Sequence, residues 1–254
     1  GAYLACLAAK NGTQADGYLF LGGHCDSGAA IYEYNFGRLL RLAESDAQWR
    51  AFAEQGQRTE LALGKRYREM FAAAARGDAT FELEDGDFRT TVDLTRRQEE
   101  LRDPPDEQFQ FIKAPSLALS GEFDLNVPPD HAARIVETLR RAGNHDCTCV
   151  TIAGCDHSFQ ISPQDELSRL RERYDFSCFE REYSPQCYQE IVSWLDKTFA
   201  DSTSSQPSRL AESQGPPVRA KEAIEREPKT DSTPERVYLA PGIQLFEDVA
   251  DQTR

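Results

Sequence analysis

From residue 1 to residue 199 the chain alternates short continuous apolar runs with stretches whose apolar positions recur every three or four residues. The opening Gly1-Ala2-Tyr3-Leu4-Ala5-Cys6-Leu7-Ala8-Ala9-Lys10 reads as a helix stopped at Asn11-Gly12, apolar nearly all round and therefore expected to be buried. Tyr18-Leu19-Phe20-Leu21, set between glycines, reads as a short buried strand. From about Arg38 to Ala75 the residues Leu39, Leu40, Leu42, Trp49, Phe52, Leu61, Leu63, Tyr67, Met70 and Phe71 fall at helical spacing among polar residues. Residues 77–108 are more polar and carry Asp-Gly and Pro-Pro turn signals. Pro115-Ser116-Leu117-Ala118-Leu119-Ser120-Gly121 predicts a buried strand, residues 128–141 a helix opened by Pro128-Pro129, and Cys147-Thr148-Cys149-Val150-Thr151-Ile152 another strand. Residues 163–174 predict a polar surface helix. Residues 184–199 predict a closing helix with Ile191, Val192, Trp194 and Leu195 as its apolar face. Helices alternating with buried strands predict an α/β fold with a parallel sheet covered on both sides.

The pattern changes after residue 199. Residues 200–234, rich in Ser, Gln, Pro, Lys and Glu, bury too little apolar surface to order themselves and read as a disordered linker. Residues 235–254 turn apolar again at Val237-Tyr238-Leu239 and read as the possible start of a further module. The 254 residues carry 43 acidic and 29 basic side chains, a formal charge of -14 that repels a phosphate backbone, so no nucleic-acid partner is expected. No apolar run is long enough to span a membrane. Seven cysteines, an odd number, do not read as a disulfide framework and favour a reducing compartment, which points to the cytoplasm. The chain does not begin with Met, so targeting signals could stand upstream.

Two loops carry candidate chemistry. In Gly121-Glu122-Phe123-Asp124-Leu125-Asn126-Val127-Pro128 a buried strand delivers Asp124 to its C-terminal end, the edge where parallel sheets build sites. Gly154-Cys155-Asp156-His157-Ser158-Phe159 delivers His157 past the next strand. Acid and histidine are one helix and one strand apart, so they should come from adjacent strand ends. There Asp124 would accept the Nδ1 hydrogen of His157, fix its tautomer and stabilise the imidazolium.

The order acid, helix, strand, histidine, final helix, with loops of the form G-E-x-D-x-x-V-P and G-x-D-H-S-F, resembles the α/β-hydrolase superfamily over roughly residues 1–199. The likeness is closest to its dienelactone-hydrolase-like and prolyl-oligopeptidase-like branches. The resemblance implies the C-terminal part of the parallel sheet, with about residues 38–108 as a helical cap insertion. It implies a serine hydrolase cleaving an ester, thioester or peptide bond of a small-molecule or peptide substrate, with Asp124 and His157 as catalytic partners and no cofactor. The family's nucleophile stands in G-x-S-x-G, which is absent here. Gly1 resembles the last glycine of that motif, which places the serine two positions before it and makes the isolated piece inactive. A Cys or Asp nucleophile, or a non-catalytic interaction protein on the same scaffold, are the alternatives.

Other residues have plainer readings. Asp156 adjoins His157, but an adjacent residue rarely reaches Nδ1 in the needed geometry. Ser27 follows a strand among glycines, yet lacks the x-S-x-G spacing and a strong helix signal behind it. His24 reads as a loop residue that could line a pocket, and His131 and His145 as solvent-facing. Cys147 and Cys149 alternate on one strand and should share a packed face, and no metal site is expected from them with Cys155 and His157. Trp49, Phe52, Tyr67 and Phe71 could line an acyl pocket, or simply form the core of the cap.

Overall fold

The computed structural model describes residues 1–200. All but the first residue of the expected linker, and the whole of the expected further module, lie outside the described residues. The chain runs α1 (Ala2–Lys10), β1 (Tyr18–Leu21), α2 (Gly28–Ser45), α3 (Ala47–Gly56), α4 (Arg58–Arg76), β2 (Thr80–Asp85), β3 (Phe88–Asp93), α5 (Thr95–Arg102) and a short α6 (Pro105–Gln108). It continues through β4 (Ser116–Gly121), α7 (His131–Arg141), β5 (Cys147–Ile152), α8 (Glu166–Tyr174) and α9 (Pro185–Phe199).

β1, β4 and β5 form a parallel sheet in the order β1-β4-β5, with Leu21 opposite Leu119 and Leu119 opposite Val150. This is the predicted α/β class. β4 lies in the middle and every one of its residues is buried. One face of the sheet packs Tyr18, Phe20 and Ala118 against Cys6 and Ala9 of α1 and Ile135, Val136 and Leu139 of α7. The opposite face sets Leu117, Leu119 and Ile152 against Cys187, Ile191 and Trp194 of α9. A third cluster joins α2, α3 and α4 to Leu125 and to Leu170 and Tyr174 of α8, which seats the helical layer beside the C-terminal edge of the sheet.

Several elements depart from their sequence reading. α1 buries only Tyr3, Cys6 and Ala9, while Leu4 is 57% exposed, because one face meets the sheet and the other meets solvent. β1 alternates buried and exposed positions: Leu19 and Leu21 lie on the Leu117–Leu119 face, which α9 covers mainly over β4 and β5. Val192 and Leu195 of α9 are exposed, since only Ile191 and Trp194 of the expected face reach the sheet. Cys149 is exposed although Cys147 is buried, because β5 pairs with β4 alone among the described strands and α7 covers Cys147. The helical run starts at Gly28 rather than near Arg38, and residues 80–93 form an antiparallel hairpin around Gly86 at φ +63°.

β4 ends in a close approach that dictates its last residue. A Cβ at Gly121 would stand 2.5 Å from the Cys155 carbonyl oxygen and 2.8 Å from the Asp156 carbonyl carbon, both backbone atoms of the His157 loop. Gly121→Ala is therefore expected to cost about 1–3 kcal/mol, the usual overpacking range, as read by urea unfolding. An unchanged midpoint would contradict the packing of strand end on loop.

Candidate active site

The C-terminal ends of the three parallel strands converge. β1 delivers Gly22-Gly23-His24, β4 delivers Asp124 and β5 delivers His157, and backbone bonds lock the ends together: Gly22 N–H donates to Leu119 O at 2.9 Å, Glu122 N–H to Ile152 O at 2.9 Å, and Phe123 N–H to Cys155 O at 2.8 Å.

Asp124 and His157, the two residues singled out from the sequence, meet. His157 Nδ1 lies 2.8 Å from Asp124 Oδ2. The other carboxylate oxygen accepts the N–H groups of Asn126 at 2.7 Å and Val127 at 2.8 Å, which fixes the carboxylate's rotation and reserves Oδ2 for the imidazole. The Asp124 side chain has no exposed surface and that of His157 is 19% exposed, so the acid is shielded while the ring keeps an open edge. Burial disfavours the imidazolium, but the charge and hydrogen bond of Asp124 outweigh it, and the His157 pKa is raised. Gly22, at φ +59°, lies against the ring: a Cβ there would come within 2.7 Å of Cε1.

Asp156 shapes its own loop instead. Its Oδ1 accepts the N–H groups of Ser158 at 2.9 Å and Gln160 at 3.0 Å. The loop holds Phe159 at φ +59°, a conformation costly for a bulky residue; Ser184 N–H donates to Phe159 O at 2.8 Å and Phe159 is itself buried.

In front of the histidine is a cavity of about 570 Å³. Gly1 and Ala2 at the start of α1 form one wall with Gly22 and Gly23. Tyr32 and Asn35 of α2, Glu60 of α4, Glu100 of α5 and Arg173 of α8 also line the cavity. Burial raises the Glu60 pKa. His24 lines the same cavity with Nδ1 3.1 Å from Asp26 O, and burial lowers its pKa. The aromatic stripe Trp49, Tyr67 and Phe71 lies in the core of the helical layer and does not border the cavity. The side chain of Phe52 lies outside the described residues.

Ser27 caps α2, its Oγ accepting the Ala30 N–H at 3.3 Å, and a helix does follow it directly. His145 is exposed, as expected, but His131 is completely buried. Its Nδ1 accepts the Cys25 N–H at 3.2 Å and its Nε2 lies 3.2 Å from Asp26 Oδ2. Burial lowers its pKa. Asp26 also takes both terminal nitrogens of Arg134, at 2.7 Å for Nη1, and this pairing lowers its pKa. Cys25, Asp26 and His131 could by proximity hold a metal ion, their ligand atoms lying within 4.8 Å of one another. The arrangement serves instead as a clamp between the loop after β1 and α7, with Arg134 already occupying the carboxylate.

The sequence reading missed Gly22, Tyr34, Asn35 and Arg173. Tyr34 Oη donates to Asp124 O at 2.7 Å and Arg173 Nη1 to Leu125 O at 2.9 Å. One of the four was signalled: Asn35 is a polar residue in the inward stripe of Ile31, Tyr32, Phe36 and Leu39, where another apolar side chain would be expected.

A strand-end carboxylate thus meets an imidazole on a parallel sheet, the pairing that the α/β-hydrolase resemblance implies. The model of the prolyl oligopeptidase family matches residues 56–201, more than half of the chain. The chain belongs to the prolyl oligopeptidase family, a family of hydrolases within the α/β-hydrolase superfamily. No curated protein matches it. Among solved structures it is similar to MenH from S. aureus, with 13% identity over 78% of this chain and 65% of that one and a TM-score of 0.32. It is similar to esterase E22, with 16% identity over 68% of this chain and 58% of that one and a TM-score of 0.31. A third similarity is to an alpha/beta fold family hydrolase from Bacillus anthracis str. Sterne, with 13% identity over 71% of this chain and 63% of that one and a TM-score of 0.31. The chain thus spans less than two thirds of the length of each of these structures.

Proposed function

We propose that the protein to which this chain belongs hydrolyses an ester, thioester or peptide bond of a small-molecule or peptide substrate through a Ser-His-Asp triad. Asp124 and His157 are two of its members, and the serine stands two positions before Gly1 in the full-length protein. The observation that carries this reading is the 2.8 Å bond to a buried, doubly anchored Asp124 from Nδ1 of His157, which lines a large cavity. With Nδ1 engaged, Nε2 is the nitrogen left to take the nucleophile's proton and return it to the leaving group. Gly1 lines the same cavity as His157, so the residues before it in the full-length protein would enter at the right place. The helical layer of α2 to α5 acts as a cap over the site. A nucleophile among the visible buried cysteines is disfavoured, since burial pushes the Cys25 thiol up to about 11 and the Cys6 thiol up to about 12.

The test is labelling of the full-length protein by a fluorophosphonate, which modifies an activated serine, beside iodoacetamide, which modifies a thiolate. Fluorophosphonate labelling that disappears in His157→Ala supports the triad. Labelling by iodoacetamide alone moves the chemistry to cysteine, and labelling by neither removes the serine reading.

The raised His157 pKa fixes the pH dependence. The neutral imidazole is the working base, so kcat/KM is expected to rise with pH through an apparent pKa above the ordinary histidine value of about 6.5. For stability the sign is opposite. A folded-state pKa above the unfolded one favours folding at pH below about 6.5, and this contribution is lost as pH rises through the folded pKa. A kcat/KM midpoint below 6 would contradict the assignment.

A further inference from the structure

The loop after β4 is held in an unusual way. Three successive carbonyls, those of Asp124, Leu125 and Asn126, are each taken by a side chain from another element. Tyr34 Oη of α2 donates to Asp124 O at 2.7 Å, Arg173 Nη1 of α8 to Leu125 O at 2.9 Å, and Asn35 Nδ2 of α2 to Asn126 O at 2.7 Å. Neither β4 nor α7, which flank the loop, supplies any of these donors. The loop's own bonds then run inward, from the N–H groups of Asn126 and Val127 to Asp124 Oδ1. The direction in which Asp124 Oδ2 points is thereby set by backbone that α2 and α8 hold in place.

The two α2 donors are themselves braced. Asn35 also donates to Ile31 O of its own helix at 2.9 Å, so both amide hydrogens are committed and the group has one orientation. It is 8% exposed and lies within an otherwise apolar stripe, where a buried amide is expensive: its two hydrogens are bonded, while Oδ1 has no hydrogen-bond partner among the described residues. The Tyr34 ring carries the Arg38 guanidinium 3.9 Å from its centroid, which restrains the ring whose hydroxyl meets Asp124.

We infer that Tyr34 and Asn35 are positioning residues for the Asp124–His157 pair, and that the seating of the first helix of the cap sets the geometry of that pair. The inference rests on the triad reading for its consequence in turnover, and on hydrogen bonds alone for its consequence at His157. Asn35 and Arg173 also line the cavity, so a substrate that presses on α2 or α8 presses on the backbone behind the acid. Binding and alignment of the acid are in this way properties of the same two helices.

The experiment compares wild type, Tyr34→Phe, Asn35→Leu and the double variant in the full-length protein. It reads the His157 imidazole pKa by NMR, with the resonance assigned by its loss in His157→Ala, together with kcat, KM and Tm. The groups that face His157 are Asp124, Asp156 and Arg173, and all three remain in every variant. Loosening Asp124 weakens the contact that raises the histidine. The double variant is expected to lower the His157 pKa by about half a unit to one unit and kcat by about tenfold, with KM within about twofold. Tyr34→Phe alone, which deletes one hydroxyl and nothing else, is expected to move both in the same direction by less. It keeps the test open if the double variant does not fold. An unchanged pKa and kcat beside a lowered Tm would overturn the inference and leave both residues a purely structural role. A shifted pKa in a protein with no hydrolytic activity would uphold the positioning and reject the triad.

Discussion

Asp124→Asn is expected to reduce turnover by about a thousand-fold or more while leaving the protein folded. The size of the effect follows from what surrounds the carboxylate. Oδ1 accepts two backbone N–H groups, from Asn126 and Val127, so an asparagine must turn its carbonyl oxygen toward them and its amide nitrogen toward His157. Asparagine then donates to Nδ1, which must become an acceptor. The ring proton moves to Nε2, the nitrogen that has to be bare to act as a base. The same change removes the negative charge that favours the imidazolium. Shape, burial and two backbone bonds survive, so the loss is one of tautomer and charge. Steady-state hydrolysis by the full-length protein, with its Tm as a control, measures it. Turnover within tenfold of wild type would reject Asp124 as the histidine's partner in catalysis.

Both of these residues were legible in the sequence because their signals are local. A buried apolar run followed by a loop bearing Asp or His is a strand end in a parallel sheet, and the strand order brings such ends together. The hairpin of residues 80–93 was not read from the sequence, although Thr80-Phe81-Glu82-Leu83-Glu84 alternates and Gly86-Asp87 is a two-residue hairpin loop. The overall polarity of the region hid it. The start of α2 was hidden differently. Ser27 caps the helix, but Gly28 and the small Ala29 and Ala30 that follow carry weak apolar periodicity. His131 and Cys149 could not be read from neighbours at all. One is buried because Cys25 and Asp26, remote in sequence, fold onto it; the other is exposed because of what lies beside β5. Tyr34 belongs to the same group, since its significance depends on a carbonyl of residue 124.

Arg97→Met is expected to destabilise the helical layer by about 3–5 kcal/mol. Arg97 is 5% exposed and Glu100 7% exposed. Arg97 Nη1 donates to Glu100 Oε1 at 3.1 Å and Nη2 donates to Tyr32 Oη at 3.0 Å. Its guanidinium also lies 5.3 Å from the Tyr32 ring centroid and 6.0 Å from that of Phe71, so the bonds tie α5 to α2 and α4. Methionine keeps much of the apolar stem and bulk but none of the charge. Among the described residues Glu100 then keeps the Arg96 ion pair, at 3.3 Å and from a side chain 39% exposed, while its Oε2 already has no hydrogen-bond partner among them. The penalty is the cost of an undercompensated buried charge rather than the worth of the pair. The double variant Arg97→Met/Glu100→Leu, which removes both charges, should therefore recover most of the loss in urea unfolding. A double variant less stable than the single would show that the pair is net stabilising. α2 is also the helix whose Tyr34 and Asn35 hold the loop of residue 124, so the single variant should weaken His157's contact with Asp124 as well as the fold.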